Sequence, residues 1–423
     1  MKHIKIVLPL ILFMLACQSS DTIGGQERNV PLRDVDKAYS FIKYDENKLL
    51  FPNGHTDFDK FYGKLDTLLR EGKGKINIVH IGGSHVQAGF FEHQLRTDFA
   101  GLDDSIMSQR GLLFPFGLLH TNEPYGYCIA CSGEWSGTKC IKPSGTDTIG
   151  LAGAAVSTTD NQAKLSIHIN LSDSARFSFN RLRILGYATD STSHPYAIMC
   201  GDTLRARRKE GAHSYIIDYP APCDSADIGF SLSEGGRFTL EGIIPENDRA
   251  GLTYYAAGVN GADVTAWLRC GHLQTDLDMI RPDMAVFGIG INDANVPSKD
   301  FKPEVFKERY RQLISKFKAA NPDCALLFIT NNDCLLNLAG KRGKQFNPNT
   351  ARVATAFKEL AAEYGGAVWD QYYIMGGARS SALWKAKNLM RNDRIHFTAA
   401  GYRLLGDLLY NAIAADYMRA NGD

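Results

Sequence analysis

The chain is 423 residues long, with 44% hydrophobic residues and 47 Lys+Arg against 46 Asp+Glu, a formal net charge of +1. That length suggests two or three domains at ~150 residues each, the composition is that of an ordinary globular protein, and the near-zero charge gives no electrostatic case for a nucleic-acid partner. The 11 histidines do not cluster in a ligand pattern, so neither a metal nor another cofactor is expected.

The first residues, Met1 to Lys5, are basic and lead into the apolar run Ile6 to Leu15, which ends in Ala16-Cys17. This is the layout of an export signal, and the run is short for a transmembrane span. Met-Leu-Ala-Cys17 resembles the lipobox of bacterial lipoproteins. The resemblance implies that residues 1–17 are a lipoprotein signal peptide, that Cys17 is lipidated, and that the protein is anchored to a membrane facing the periplasm or cell surface. An ordinary signal peptide cut near Ala16 is the alternative. Residues 18–33 are polar at the start and read as a tether. Eight further cysteines, at 128, 131, 140, 200, 223, 270, 324 and 334, are an even number in an exported chain and favour structural disulfides. Cys128-Ile-Ala-Cys131 with Cys140 lacks a fourth ligand at zinc spacing.

From residue 34 the pattern is α/β. Phe58, Phe61, Leu65, Leu68 and Leu69 form a helical stripe, and Ile76 to Ile81 is a β-branched run with the character of a buried parallel strand. Gly82-Gly83 break it before Ser84, and Phe91, Leu95, Phe99 and Leu102 then recur at helical spacing. Between residues 105 and 248 the character changes to short alternating runs separated by Gly, Pro, Asn, Asp and Ser, among them Lys164–Leu171, Ser214–Asp218 and Gly236–Glu241. That is the signature of an inserted all-β sandwich or jelly roll. The α/β alternation resumes over 249–423, with strands at 252–257, 284–290, 325–330 and 367–369. Helices lie between them, and Thr398 caps a last helix with Tyr402, Leu405, Leu409 and Ile413 on its core face. The expected fold is therefore α/β, a three-layer α/β/α mostly parallel sheet over 34–104 and 249–423, interrupted once.

Four stretches lie just past a strand or ahead of a helix, where open α/β sheets bind ligands: Gly82-Gly83-Ser84, Gly258-Val-Asn-Gly261, Gly290-Ile-Asn292-Asp293 and Asp393-Arg-Ile-His396. Singly, Ser84 reads as a helix cap, Gly261 as a turn residue, Asn292-Asp293 as a strand-ending cap, and Asp393 and His396 as a cap and a surface histidine. Together and in this order they offer a nucleophile, a base, an orienting acid and oxyanion donors, one complete set for acyl transfer. His80 is expected to point into the sheet packing, His93 to a helix face, and His85 to line the pocket beside Ser84.

These four blocks resemble those of the SGNH (GDSL-like) hydrolases, a family named for its Ser, Gly, Asn and His blocks. The resemblance implies Ser84 as nucleophile, His396 as base and Asp393 as the residue orienting it. It also implies an oxyanion hole from the Ser84 N–H, the Gly261 N–H and the Asn292 side chain. Gly83 departs from the family's usual Asp. The β-rich insert between the Ser and Gly blocks, and His85 directly after Ser84, are similar to exported peptidoglycan and carbohydrate O-acetylesterases, whose insert resembles a carbohydrate-binding module. The implied activity is removal of O-acetyl groups from an acetylated glycan, with Tyr125, Tyr127 and Trp135 as candidate sugar contacts. A carbohydrate O-acetyltransferase and a catalytically inactive glycan-binding lipoprotein are the alternatives.

Overall fold

Seven strands make the central sheet of the computed structural model, which describes residues 30–422 apart from 104–105, 144, 172–175, 210–212 and 337–344. The export signal and Cys17 lie outside the described residues. Across the sheet the order is Leu49–Leu50, Ala367–Trp369, Ala325–Ile329, Met284–Gly288, Lys75–Gly82, Gly251–Gly258 and Met107–Gln109. All neighbours are parallel except the first pair. The strands are runs of Val, Ile, Leu, Phe and Ala because both faces are covered. Side chains of opposite parity along Lys75–Gly82 enter two different cores. Ile76 and Ile78 pack with the helices Thr56–Glu71, Phe90–Ala100 and Ala399–Ala420. Val79 and Ile81 share a core with Trp267, Leu277, Leu313 and Phe357, from the helices Val264–Leu268, Leu273–Ile280, Pro303–Ala320 and Asn349–Tyr364. This is the three-layer α/β/α arrangement expected from the sequence.

The insert is two antiparallel sheets. One has the order Asp202–Arg205, His194–Met199, Ser225–Ser231, Lys164–His168, Cys128–Ser132; the other runs Arg207–Lys209, Ser214–Cys223, Phe179–Ala188, Phe238–Glu246, Ala154–Thr158, Ser136–Lys139. Its core is continuous with that of the second sheet face, through Leu113, Leu151 and Val156 on one side and Val259 and Trp267 on the other.

Several expectations need correction. Met107–Gln109, placed by the sequence inside the insert, is the edge strand of the central sheet, paired with Gly251–Thr253. The helix after Ser84 is two helices, Ser84–Gln87 and Phe90–Ala100, divided at Gly89, whose φ is +78°. A Cβ there would overlap the Tyr125 backbone, so the glycine allows the insert to approach as well as the turn to form. Residues 30–33 are docked rather than free: the Arg33 N–H donates to Asn411 Oδ1 at 2.7 Å and the Tyr410 hydroxyl donates to Pro31 O at 2.9 Å. All eight described cysteines carry free thiols. Cys128 and Cys131, three apart on one strand, project from opposite faces. Cys140, Cys270, Cys324 and Cys334 are buried; the Cys270 thiol lies against Cys140 and donates to Ala266 O, and Cys334 Sγ accepts from Asn347 Nδ2.

Candidate active site

Gly82 is in register with Gly258 on one side and with Gly288 on the other. Three neighbouring parallel strands thus end level, and the loops leaving them emerge side by side at the carboxyl edge. That register is why blocks 176 and 206 residues apart in sequence can meet. A Cβ at Gly82 or Gly258 would overlap Val86, so these two glycines let the Ser84–Gln87 turn lie directly on the strand ends. Trp267, fully buried, donates its indole N–H to Gly82 O at 3.2 Å and ties the Gly258–Gly261 region to the same turn.

The structure brings Ser84, Asp393 and His396 together. Ser84 Oγ lies 2.7 Å from His396 Nε2, and His396 Nδ1 lies 2.8 Å from Asp393 Oδ2. The other Asp393 oxygen accepts from the N–H groups of Ile395 at 2.9 Å and His396 at 3.0 Å. Burial raises the Asp393 pKa, but the His396 ring and these two N–H groups outweigh it and leave the carboxyl below its ordinary value. An ionised Asp393 fixes the Nδ1–H tautomer of His396 and leaves Nε2 as the acceptor for the serine proton.

Gly261 and Asn292 face the same cleft, a space of about 580 Å³ that also exposes Ser84 and His396. Asn292 donates one amide hydrogen to Ala262 O at 2.8 Å, which anchors the side chain and leaves its second hydrogen for a ligand. Asp293 accepts from Val264 N at 3.3 Å, and Asp263 caps the same helix through Ala266 N at 2.7 Å. Burial, with Asp263 nearby, pushes Asp293 up to about 7. Gly83 has φ −103°, so left-handed backbone is not what the site requires there. Space is: a Cβ at Gly83 would stand 3.2 Å from Asn292 Nδ2. Among the described residues, no three His, Cys, Asp or Glu groups converge to hold a metal ion.

Of the neighbouring histidines, His80 and His93 are buried. His85 stands behind His396, with ring centroids 5.2 Å apart, instead of lining the cleft. Tyr125 does line the cleft and stacks on Phe90 at 4.4 Å. Tyr127 is core, its hydroxyl donating to Phe114 O at 3.0 Å, and Trp135 packs edge-on against Phe230. The sequence reading missed Gln87, Asn122, Glu123, Asn260 and Arg391. Gln87 stands three residues after Ser84 on the same turn, and Asn260 lies inside the quoted glycine block, so spacing could have found both. Asn122 and Glu123 come from the insert and carried no such signal.

Residues 231–404 match the sequence profile of the GDSL-like Lipase/Acylhydrolase family. The matched span takes in Gly261, Asn292, Asp393 and His396, while Ser84 precedes it, on the far side of the insert. A structure described as a peptidoglycan O-acetylesterase in action is similar over 88% of this chain and 99% of its own, at 20% identity and a TM-score of 0.69. A lipase/acylhydrolase from Enterococcus faecalis is 20% identical over 39% of this chain and 77% of its own, with a TM-score of 0.31. An acetyl xylan esterase is 19% identical over 38% and 80%, with a TM-score of 0.30. No curated protein matches the sequence. The first likeness spans the α/β unit and the insert together and is one of fold. Residues 231–404 thus carry the sequence pattern of the GDSL-like lipase/acylhydrolase family, within an α/β fold that an inserted β-domain splits after its first strands.

Proposed function

We propose that this protein is a serine esterase that removes O-acetyl groups from a cell-envelope carbohydrate, peptidoglycan being the first candidate, through an acyl-serine intermediate. The observation that carries the reading is the 2.7 Å and 2.8 Å relay from Ser84 through His396 to Asp393, opening on a cleft that also holds Gly261 and Asn292. In this mechanism His396 Nε2 takes the Ser84 proton as Oγ attacks the acetyl carbonyl. Asp393 stabilises the imidazolium that forms. The carbonyl oxygen becomes an oxyanion, met by the N–H groups of Ser84 and Gly261 and the free amide hydrogen of Asn292. As the intermediate collapses and the acyl–oxygen bond to the sugar breaks, His396 protonates the departing sugar oxygen to leave it as a hydroxyl, and a water deprotonated by the same nitrogen then attacks the acyl-serine and releases acetate and free Ser84.

Ser84 and His396 stay partly exposed in a wide cleft, which favours water over a sugar hydroxyl as acyl acceptor and so supports hydrolysis over transfer. The stacked Phe90–Tyr125 pair at the cleft wall suits a sugar face. Lipidation at Cys17 would hold the enzyme at a membrane beside such a substrate. Protein lacking residues 1–17 should release acetate from 4-nitrophenyl acetate and from O-acetylated glycans, and Ser84→Ala should lower the rate by about 10⁴-fold or more. Equal rates for the two proteins would reject the reading, and acetylated product formed from an added acceptor glycan at the expense of acetate would convert it to a transferase.

A further inference from the structure

Behind the Ser84 turn, separated from the cleft by Ile291 and Tyr402, lies a narrow cavity of about 40 Å³ whose polar walls are His80, His85, Glu92 and Asn331. Five buried atoms of these residues have no hydrogen-bond partner in the protein among the described residues: His80 Nε2, His85 Nε2, both Glu92 carboxyl oxygens and Asn331 Nδ2. Glu92 is wholly buried, and His80 and Asn331 are nearly so. His80 Nδ1 lies 3.4 Å from Glu92 Oε1, and that nitrogen already meets the Tyr254 hydroxyl at 3.1 Å. A Cβ at Gly288 would stand 2.6 Å from His80 Nε2, so the glycine keeps this volume open.

Five unmatched polar atoms around one small space are not tolerated in a folded interior unless something in that space matches them. A buried water needs roughly 10–15 Å³ and two to four polar partners, so the cavity has room and partners for about three. We propose that it is an internal solvent site, a cluster of ordered waters that bridges Glu92 and Asn331 to His85 and makes His85 a positioning residue for His396.

The geometry around His85 gives the cluster its consequence. His85 Nδ1 meets the Tyr402 hydroxyl at 2.9 Å, and its ring lies 5.2 Å from the His396 ring with a 36° tilt. In a neutral imidazole one ring nitrogen donates and the other accepts, so Nε2 needs a partner in either tautomer. With Tyr402 on one nitrogen and water on the other, the ring is held at both ends and presents a fixed face to His396. Burial, with His396 next to it, pushes the His85 pKa down to about 3. At neutral pH His85 is therefore uncharged and does not oppose His396 as that ring gains a proton.

Two arms test this, the second resting on the esterase reading. A crystal structure of the full chain, at a resolution that reveals ordered solvent, should show waters within hydrogen-bonding distance of both His85 Nε2 and Glu92. A dry cavity, a direct Glu92 to His85 contact, or a metal ion in the space overturns the proposal. In the kinetic arm His85→Ala should lower kcat by about 10- to 100-fold with KM unchanged, and move the acidic limb of the kcat/KM profile by ~0.5 pH unit or more. His85→Gln, which can bond to both Tyr402 and water, should recover most of the rate. Gly288→Ala, which intrudes on the cavity from outside the cleft, should lower kcat in the same manner as His85→Ala. Unchanged kcat and pH profile in folded His85→Ala protein overturn the positioning role. If the wild type turns over no ester at all, the esterase reading fails, while the crystallographic arm still decides the solvent site.

Discussion

Asn260 Nδ2, from the glycine block of the α/β unit, donates to Asn122 Oδ1 of the insert at 2.8 Å. The same amide nitrogen reaches Thr121 Oγ1 at 2.8 Å, and the Asn260 N–H donates to Gln87 Oε1 at 2.6 Å. Gln87 in turn donates to Asn122 O at 2.8 Å. The first residues of the insert are thus bonded both to the turn that bears Ser84 and to the loop that bears Gly261. An insert acting only as a distant sugar-binding module would have no such contacts. Replacing Gln87 by Leu removes two of these bonds in a buried place, at a cost of about 1–3 kcal/mol for each polar group left unmatched. The expected result is a lower Tm and a fall of about 10- to 100-fold in kcat on 4-nitrophenyl acetate. An unaltered rate on that small ester would show that the insert does not shape the reacting centre. For the same reason, a version lacking the insert should lose turnover of small and polymeric esters alike.

Gly83 supports a second prediction. The SGNH hydrolases that the chain resembles usually carry Asp here, yet a Cβ at this position would stand 3.2 Å from Asn292 Nδ2 and 3.4 Å from Ala262 O, the two groups whose hydrogen bond fixes the Asn292 amide. Restoring the familiar residue should therefore disturb the oxyanion donor. Gly83→Asp is expected to lower kcat on aryl acetate by about tenfold or more, within the range for an oxyanion donor moved or lost. A rate equal to or above wild type would show that Asn292 gives way without loss.

Those two findings mark the limit of what the sequence could reveal. The sheet and most of its helices were legible because Lys75–Gly82, Gly251–Gly258, Met284–Gly288 and Ala325–Ile329 are continuous apolar runs between amphipathic segments, and burial on both faces imposes that pattern. Ser84, Asp393 and His396 were legible because each follows or precedes such an element in a short local motif. Met107–Gln109 was not, since a three-residue edge strand with two polar members has no period to read, and its partner lies across the whole insert. The short helices Gln371–Ile374 and Ser380–Ala386 escaped for a similar reason. Cysteine number suggested disulfides, but pairing depends on which strand faces meet, and that is a tertiary property. The five unmatched atoms around His85 are likewise invisible until the chain is folded.

The relay and the oxyanion donors should separate in their response to substitution. Asp393→Asn keeps the shape of the side chain but not the charge that stabilises the His396 imidazolium, so kcat should fall by about 10⁴-fold with the fold retained. Asn292→Ala removes one donor while Ser84 and Gly261 remain, so the expected fall is about 10²- to 10³-fold. Circular dichroism and Tm would establish that both variants are folded. A smaller loss for Asp393→Asn than for Asn292→Ala would mean that another group orients His396.

Stability should decline between about pH 6.5 and 8. Burial pushes Glu92 up to about 8, against an ordinary 4.5, and raises Asp276 and Asp293 to about 7 from 3.8. Glu92 faces Arg96, which partly offsets the shift, and it also lies near His80, Tyr254 and Tyr402. Between the ordinary and the raised value the folded protein holds a proton that the unfolded chain has released, so stability falls as pH rises through that window. His80, His85 and His93 oppose this at lower pH. Held near 3 by burial, they stay unprotonated in the folded protein while the unfolded chain takes up protons below about 6.5, so they add stability as pH rises toward that value. Above it their contribution is constant and the carboxyl groups set the slope, about 1.4 kcal/mol per pH unit for each group still fully protonated. Glu92→Gln removes the group whose window extends furthest. Its Tm should therefore change less between pH 6.5 and 8 than that of the wild type, measured by calorimetry in buffers of equal ionic strength. Parallel curves for the two proteins would show that Glu92 is ionised in the folded state across that range, with Arg96 as its counter-ion.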